Sequence, residues 1–308
     1  MNDFIIEVKD LTKKFGKFVA VDNISFNVKK GEIFGFLGAN GAGKSTTIRM
    51  LCGLLSSTSG VAKVAGYDSN KEPEKIKENI GYMSQKFSLY DDLTVEENIN
   101  FFGGIYGLLE NKILERKKWA LEIADLKGKE KRLTRDLPVG WKQRLALSCA
   151  LLHEPKIVFL DEPTGGVDPV SRRNFWEHIN EFSQQKITIF VTTHYLDEAE
   201  YCNDIMLIQA GKIIAGGSPK ELKTKYLKNP IIEVDCSNPF LGLEIIENKD
   251  WLNEVSMFGL HLHLNVKDEK KGLDNIKKLF SSNNIKINSI QKITPSLEDV
   301  FIHLIESK

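Results

Sequence analysis

The chain has 308 residues, 42% of them apolar, which is enough for a full core and, by length, for one large and one small domain. Lys+Arg and Asp+Glu both number 42, and this zero net charge argues against the basic excess that general nucleic-acid binding needs. No apolar run approaches the roughly 20 residues that span a bilayer. Met1-Asn2-Asp3-Phe4 lacks a basic region followed by an apolar stretch, so no signal peptide is expected. The four cysteines, Cys52, Cys149, Cys202 and Cys236, form no C-x-x-C pair and read as buried, reduced thiols of a cytosolic protein.

In chain order, residues 4–9 read as a strand, 13–17 as a turn, and 24–28 as a second strand with Ile24, Phe26 and Val28 on one face. Phe15, in that turn, reads either as an aromatic able to stack on a flat ring such as adenine or as a half-buried turn residue. The apolar run 33–37 reads as a buried strand. It leads into Gly38-Ala39-Asn40-Gly41-Ala42-Gly43-Lys44-Ser45-Thr46, which matches G-x-x-x-x-G-K-[ST] at every fixed position, and residues 47–55 read as the helix that follows. Glycines let such a loop fold tightly and turn its N–H groups inward as an anion nest, and the helix start adds its positive dipole end. Lys44 is expected to reach β- and γ-phosphates, and Ser45 to offer its hydroxyl to Mg²⁺.

Residues 60–65 read as a strand, 73–79 as a short helix, and 80–84 as a strand ending at Gln85. The Gln85 amide suits a Mg²⁺ ion or an attacking water, or an ordinary polar loop. Two helical patterns follow, 95–108 and 112–126, the first opened by a capping box at Thr94 and Glu97, and together they read as a separate lobe. Residues 137–144 precede an apolar helix at 145–152, with Pro138 suited to a first helical position. Four apolar residues then end in Asp161 and Glu162. This describes a central parallel strand delivering acids at its C-terminal edge, where ligands of open α/β sheets sit. Asp161 is expected to steer Mg²⁺ and Glu162 to polarise a water. Asp168 opens a helix to about 184, and the apolar stretch 187–193 delivers His194 at its end, which reads either as a structural histidine or, since its strand belongs to the same sheet, as one able to contact a γ-phosphate. A short helix at 196–201, a hairpin around Ala210-Gly211 and a helix at 219–227 close the first domain.

Beyond residue 230 the texture changes. Residues 231–236 read as a strand, and 260–266 alternate strictly with His261, His263 and Asn265 on one face; the His-x-His pair could bind metal, but no third ligand is evident and an outward polar face accounts for it. A helix at 272–280, a strand at 285–293 and a helix at 296–305 complete a small α+β unit.

The order of these motifs resembles the ATP-binding subunits of ABC transporters, over residues 4–227. The resemblance implies an α/β P-loop NTPase core with a RecA-like subdomain, an antiparallel β subdomain and a helical subdomain at about 86–152. The core would span 1–228 and a C-terminal α+β domain 229–308. It implies ATP and Mg²⁺ as ligands, with Phe15 stacked on adenine and residues Gly38, Ala39, Asn40, Gly41, Ala42, Gly43, Lys44, Ser45 and Thr46 around the phosphates. Ser45, Gln85 and Asp161 would serve the metal. Glu162, His194, Lys44 and Gln85 would be catalytic. Pro138, Val139, Gly140 and Asp168 would complete the half-site of a partner subunit in a head-to-tail homo- or heterodimer.

The family's usual signature reads Leu-Ser-Gly-Gly-Gln, whereas residues 137–141 here read Leu-Pro-Val-Gly-Trp. The missing serine removes a charged hydrogen bond worth about 1.5–3 kcal/mol, and this predicts slower closure and turnover. The stretch Gly140-Trp141-Lys142-Gln143-Arg144 and the ending Pro295-Ser296-Leu297-Glu298-Asp299-Val300-Phe301 resemble multidrug exporters with ABC-2 type permeases, where such variants are normal. That subgroup implies an ATPase lying on the inner face of the cell membrane, bound to an integral permease near Gln85 and the apolar groups Phe87, Leu89, Tyr90, Phe101 and Phe102. Two other readings stay open at this point: a soluble ABC ATPase working on nucleic acid or ribosomes, and a weakly hydrolysing regulatory module.

Overall fold

The computed structural model describes residues 3–86 and 88–306. It opens on two long antiparallel strands, β1 (Phe4–Phe15) and β2 (Phe18–Lys29). Both outrun the expected strands, and the reason is local. Their register slips repeatedly, and Asp10 and Asn23 turn left-handed, so the alternation that marks a strand is broken while the pairing continues. The chain goes on through β3 (Ile33–Leu37), α1 (Lys44–Leu51), β4 (Ser59–Val64), β5 (Tyr67–Asp68), α2 (Pro73–Lys77) and β6 (Ile80–Met83). Then come α3 (Val95–Ile105), α4 (Glu110–Ile123), α5 (Val139–Ala150), β7 (Ile157–Asp161), α6 (Pro169–Gln184), β8 (Thr188–Thr193), β9 (Asp204–Gln209) and β10 (Lys212–Gly217).

Strands β2-β1-β4-β5 form an antiparallel sheet, and β10-β9-β3-β8-β7-β6 form a second one in which all but β10 run parallel. Every residue of β3, β7 and β8 is buried, as expected of parallel strands covered on both faces. Phe26 from the first sheet meets Phe34, Phe36 and Phe190 of the second with ring centres 5.5–6.2 Å apart, which locks the two sheets together. The pairings Leu37 with Thr193, Asp161 with Thr192 and Met83 with Leu160 bring the C-terminal ends of β3, β8, β7 and β6 to one edge. Helices α3, α4 and α5 enclose their own core around Val95, Ile99, Leu121 and Leu145, and α3 starts with the predicted capping box at Thr94 and Glu97.

These elements make up the unit Met1–Ser218, and Pro219–Lys308 forms another. The division falls before the helix α7 (Pro219–Tyr226), ten residues earlier than the sequence texture suggests, because α7 packs on the last helix of the second unit. That unit continues with β11 (Ile231–Cys236), α8 (Pro239–Ile246), β12 (Leu252–Phe258), β13 (His261–Val266), α9 (Glu269–Ser282), β14 (Ile287–Ile293) and α10 (Leu297–Glu306). Its antiparallel sheet has the order β12-β13-β11-β14. Leu262, Leu264, Val266, Ile276 and Phe280 fill the core under α8 and α9.

The other face of this sheet does not meet solvent as the alternation suggested. His263 and Asn265 are only 8% and 7% exposed. Asp299 of α10 reaches His263 Nδ1 at 2.8 Å, and Glu233 of β11 lies 3.3 Å from its Nε2. These polar strand residues are buried with partners at hand: α10 brings Asp299 to His263, and β12 brings Asn253, whose Nδ2 donates to Asn265 Oδ1 at 3.0 Å.

Candidate active site

The phosphate-binding pattern lies between β3 and α1. Gly41 and Gly43 have φ of 81° and 110°, a backbone that L side chains rarely adopt, and Gly43 caps α1 in that left-handed state. The loop is clasped from behind. A Cβ on Gly38 would lie 2.2 Å from the Ile208 carbonyl, and one on Gly43 would lie 2.6 Å from that of Ala20. Gly211 N–H, in the β9–β10 turn, donates to the Ala42 carbonyl at 3.0 Å. Sequence spacing alone therefore understates why these glycines are needed: they serve a close approach as well as a turn.

Glu162 is the hub. It is 7% exposed, directly follows β7, and has φ of 48°, so its backbone is left-handed without being glycine. Lys44 Nζ lies 3.0 Å from its Oε1. At its Oε2, Gln85 Nε2 donates at 3.0 Å and His194 Nδ1 stands at 3.2 Å. Lys44 also donates to the carbonyls of Gly38 and Ala39, at 2.8 and 3.2 Å. The four residues assigned catalytic roles from sequence thus meet at one carboxylate. Asp161, its neighbour, accepts from Ser45 Oγ at 3.1 Å and from Thr192 Oγ1 at 2.6 Å. Ser45, Asp161 and Gln85 offer hydroxyl, carboxylate and amide oxygens, a hard donor set that suits Mg²⁺.

A cleft of about 370 Å³ opens over this hub, lined by Asn40, Gly41, Gly43, Lys44, Ser45, Thr46, Gln85, Glu162, Phe18 and Ala20. Phe18 is the surprise. The expected aromatic, Phe15, pairs with it across the end of the β1–β2 hairpin and is half exposed under Lys13 Nζ, but it is not among the lining residues. Nothing in the sequence distinguished the two rings, since they flank the same turn. Thr192 was also missed, because a threonine inside an apolar strand carries no signal of its own.

The remaining predicted residues lie apart from the hub. Pro138 precedes α5 as its N-cap, and Val139 is nearly half exposed. A Cβ on Gly140 would meet Ser171 Oγ at 2.7 Å, so this glycine is required where α5 approaches the first turn of α6. Asp168 is the N-cap of α6. Its Oδ1 accepts from Ser171 N at 3.0 Å and Val170 N at 3.1 Å, and these bonds, led by that of Ser171, hold its carboxyl below the usual range. Gln143 is fully buried and donates to the Pro163 carbonyl at 2.9 Å, which ties α5 to the turn after Glu162. Of the apolar groups expected to meet a permease, Leu89 and Phe102 pack on the helical core. Tyr90 and Phe101 are exposed and stack edge to face, and Phe87 lies outside the described residues. All four cysteines are free and buried, and no helix among the described residues is long and apolar enough to cross a membrane.

Residues 21–165 match the family model described as ABC transporter, and residues 217–305 match the model described as ATP-binding protein DrrA1-3-like, C-terminal domain. The chain is 50% identical over 250 residues to a protein of Escherichia coli (strain K12) named "Probable multidrug ABC transporter ATP-binding protein YbhF". That match covers 81% of this chain and 43% of the relative, so the chain spans less than half of that protein's length. It is 34% identical over 304 residues to the linearmycin resistance ATP-binding protein LnrL of Bacillus subtilis (strain 168), covering 97% of this chain and 98% of the relative. Among solved structures, cbiO1 from Clostridium perfringens, described as part of the ABC transporter complex cbiONQ, superposes with a TM-score of 0.67 at 31% identity, over 73% of this chain and 92% of that one.

Proposed function

The chain belongs to the ABC transporter family, as one of its ATP-binding subunits, and on that premise we propose that it hydrolyses ATP to drive export through a separate membrane permease of the ABC-2 type. The observation that carries this reading is the convergence of Lys44, Gln85 and His194 on Glu162, at the edge where the phosphate loop opens. The inward N–H groups of residues 41–45 would bind the phosphates, and Lys44 would exchange its contact with Glu162 for the γ-phosphate. Glu162 would then be released to orient a water and take its proton. Gln85 would hold that water in line, and His194 would stabilise the charge that builds on the departing phosphoryl group. Ser45, Asp161 and Gln85 would hold Mg²⁺, which neutralises charge on the phosphate oxygens.

In this reading two ATP-binding subunits, like or unlike, pair head to tail, and residues 137–144 of each complete the other's site. The permease would dock on the groove of about 550 Å³ beside α3, where Leu54, Tyr82, Ile105 and Leu108 present an apolar lining. That contact would hold the chain to the inner face of the cell membrane. No nucleic acid enters the scheme, in keeping with the zero net charge. The homologue named for linearmycin resistance and the one named as a multidrug transporter subunit both support export as the direction.

The test is direct. Purified protein should bind ATP–Mg²⁺ and hydrolyse it, Lys44→Ala should lose binding, and a membrane protein encoded for the same system should co-purify. Equal ATP affinity in the Lys44→Ala variant would remove the reading.

A further inference from the structure

Glu198 begins a single 3-10 turn, Glu198–Tyr201, just past His194, and is only 1% exposed. Both of its oxygens are engaged. Thr164 Oγ1 donates to Oε1 at 2.5 Å, and Thr193 Oγ1 donates to Oε2 at 2.8 Å. Arg172 of α6 brings its Nε to 3.5 Å from Oε1 while its guanidinium lies over the Tyr195 ring at 4.2 Å. A carboxylate this deep is costly to bury, and the two hydroxyl donors and the guanidinium are what offset that cost.

The position of those partners gives the carboxylate a role. Thr164 is the second residue after Glu162, in a turn closed by Gly165 N–H to the Glu162 carbonyl at 3.3 Å and by Val167 N–H to the Thr164 carbonyl at 3.2 Å. Thr193 immediately precedes His194, and its hydroxyl also accepts Tyr195 N–H at 3.0 Å, which fixes the chain on the far side of the histidine. One buried carboxylate therefore joins the turn that follows Glu162 to the turn that carries His194. It is absent from the lining of the cleft. Thr192 completes the arrangement from the opposite side, since its Oγ1 accepts from Glu162 N–H at 3.1 Å.

We propose that Glu198 is a positioning residue for hydrolysis: by gripping Thr164 and Thr193 it sets the 3.2 Å approach of His194 to Glu162 without touching the substrate itself. This rests on the hydrolytic reading above. A misplacement of catalytic groups by about 1 Å can cost on the order of 100-fold in rate, so small movements at these turns are expected to matter.

The experiment uses the full chain. It measures ATP–Mg²⁺ affinity, KM and kcat per ATP-binding site for the unmodified protein and for Glu198→Ala, Glu198→Gln, Thr193→Val, Thr193→Ser, Thr164→Val and Thr164→Ser. Glu198→Ala and the two valine variants should lose about 10- to 100-fold in kcat with unchanged ATP affinity. Glu198→Gln, which keeps shape and one acceptor, should fall between. The serine variants, which keep the hydroxyl, should retain turnover. A purely architectural role would lower the number of binding sites and leave kcat per site alone; that result, or unmodified kcat in both valine variants and Glu198→Gln, overturns the proposal. An unmodified protein that binds ATP but fails to hydrolyse it would instead overturn the hydrolytic reading, and this proposal with it.

Discussion

Each unit of the molecule buries a carboxylate beside a histidine, and the two pairs have opposite characters. In the first, Glu162 and His194 stand 3.2 Å apart beside an open cleft, on a left-handed backbone, with Lys44 and Gln85 drawn to the same carboxylate. In the second, Asp299 and His263 are 2.8 Å apart under α10, and the ring of Phe258 stacks on the imidazole. Asp299 spends its other oxygen on the N–H and hydroxyl of Ser296, both at 2.7 Å, as one half of the capping box that starts α10. Every acceptor there is satisfied within the unit. The pairing of residue types does not mark a reactive site by itself; what marks it is a carboxylate whose partners could be exchanged for a ligand's atoms.

The largest expected effect breaks the open pair. Glu162→Gln keeps the shape and removes the base, so steady-state ATPase should fall by about 10²–10⁴-fold while ATP binding persists. Asp299→Ala breaks the sealed pair instead. It leaves a buried imidazole without its partner and should destabilise the second unit by about 3 kcal/mol in urea unfolding, with kcat per folded molecule unchanged.

Next in size is the restoration of the familiar signature at Pro138→Ser with Val139→Gly. It should raise turnover about tenfold, from a hydrogen bond of about 1.5 kcal/mol, and unchanged turnover would show that the departure is neutral.

The sealed pair also predicts a pH profile. Burial pushes the His263 pKa down, but Asp299 and Glu233 outweigh it and hold it above 6.5. Burial pushes Asp299 up, but His263 and Ser296 outweigh it and hold it below 3.8. The histidine's contribution is complete below 6.5 and lost as pH rises through its raised value. The carboxylate's contribution is complete above 3.8 and lost as pH falls through its lowered value. His261, Glu233 and Asp299 face this imidazole or share its carboxylate, and Glu254, paired with His303, lines the same small cavity. Protection of β13 amides, taken as the ratio of intrinsic to observed hydrogen-exchange rate, should therefore be highest in the mildly acidic range, and His263→Gln should flatten the alkaline arm. The smallest effect distinguishes two rings: Phe18→Ala should weaken ATP binding by about 0.5–1.5 kcal/mol if the ring lining the cleft is the one that stacks, and Phe15→Ala should do so if the ring beside it is.

Much of the first unit was legible in the sequence because its signals are local. A buried parallel strand is an unbroken apolar run, and the phosphate loop and the acids at 161 and 162 stand at strand ends that such runs announce. The missed features depend on distant partners. Gly140 looked like a ligand contact but is also demanded by Ser171, and Thr192 acquires meaning only from Asp161. His263 and Asn265 followed a clean alternation, yet nothing in β13 foretold that Asp299 of α10, some thirty-six residues on, would pair with the first and Asn253 of β12 with the second. Helix α8 and strand β12 went unread, since Pro239–Ile246 is a short apolar helix and Leu252–Phe258 lacks regular alternation.

The left-handed backbone of Glu162 has an evolutionary consequence. Holding an L residue there costs on the order of 1 kcal/mol, and glycine would relieve it. Selection for heat resistance alone would push this position towards glycine, and selection for turnover would forbid it. A library screened first for survival at high temperature and then for ATP hydrolysis should split at this one codon.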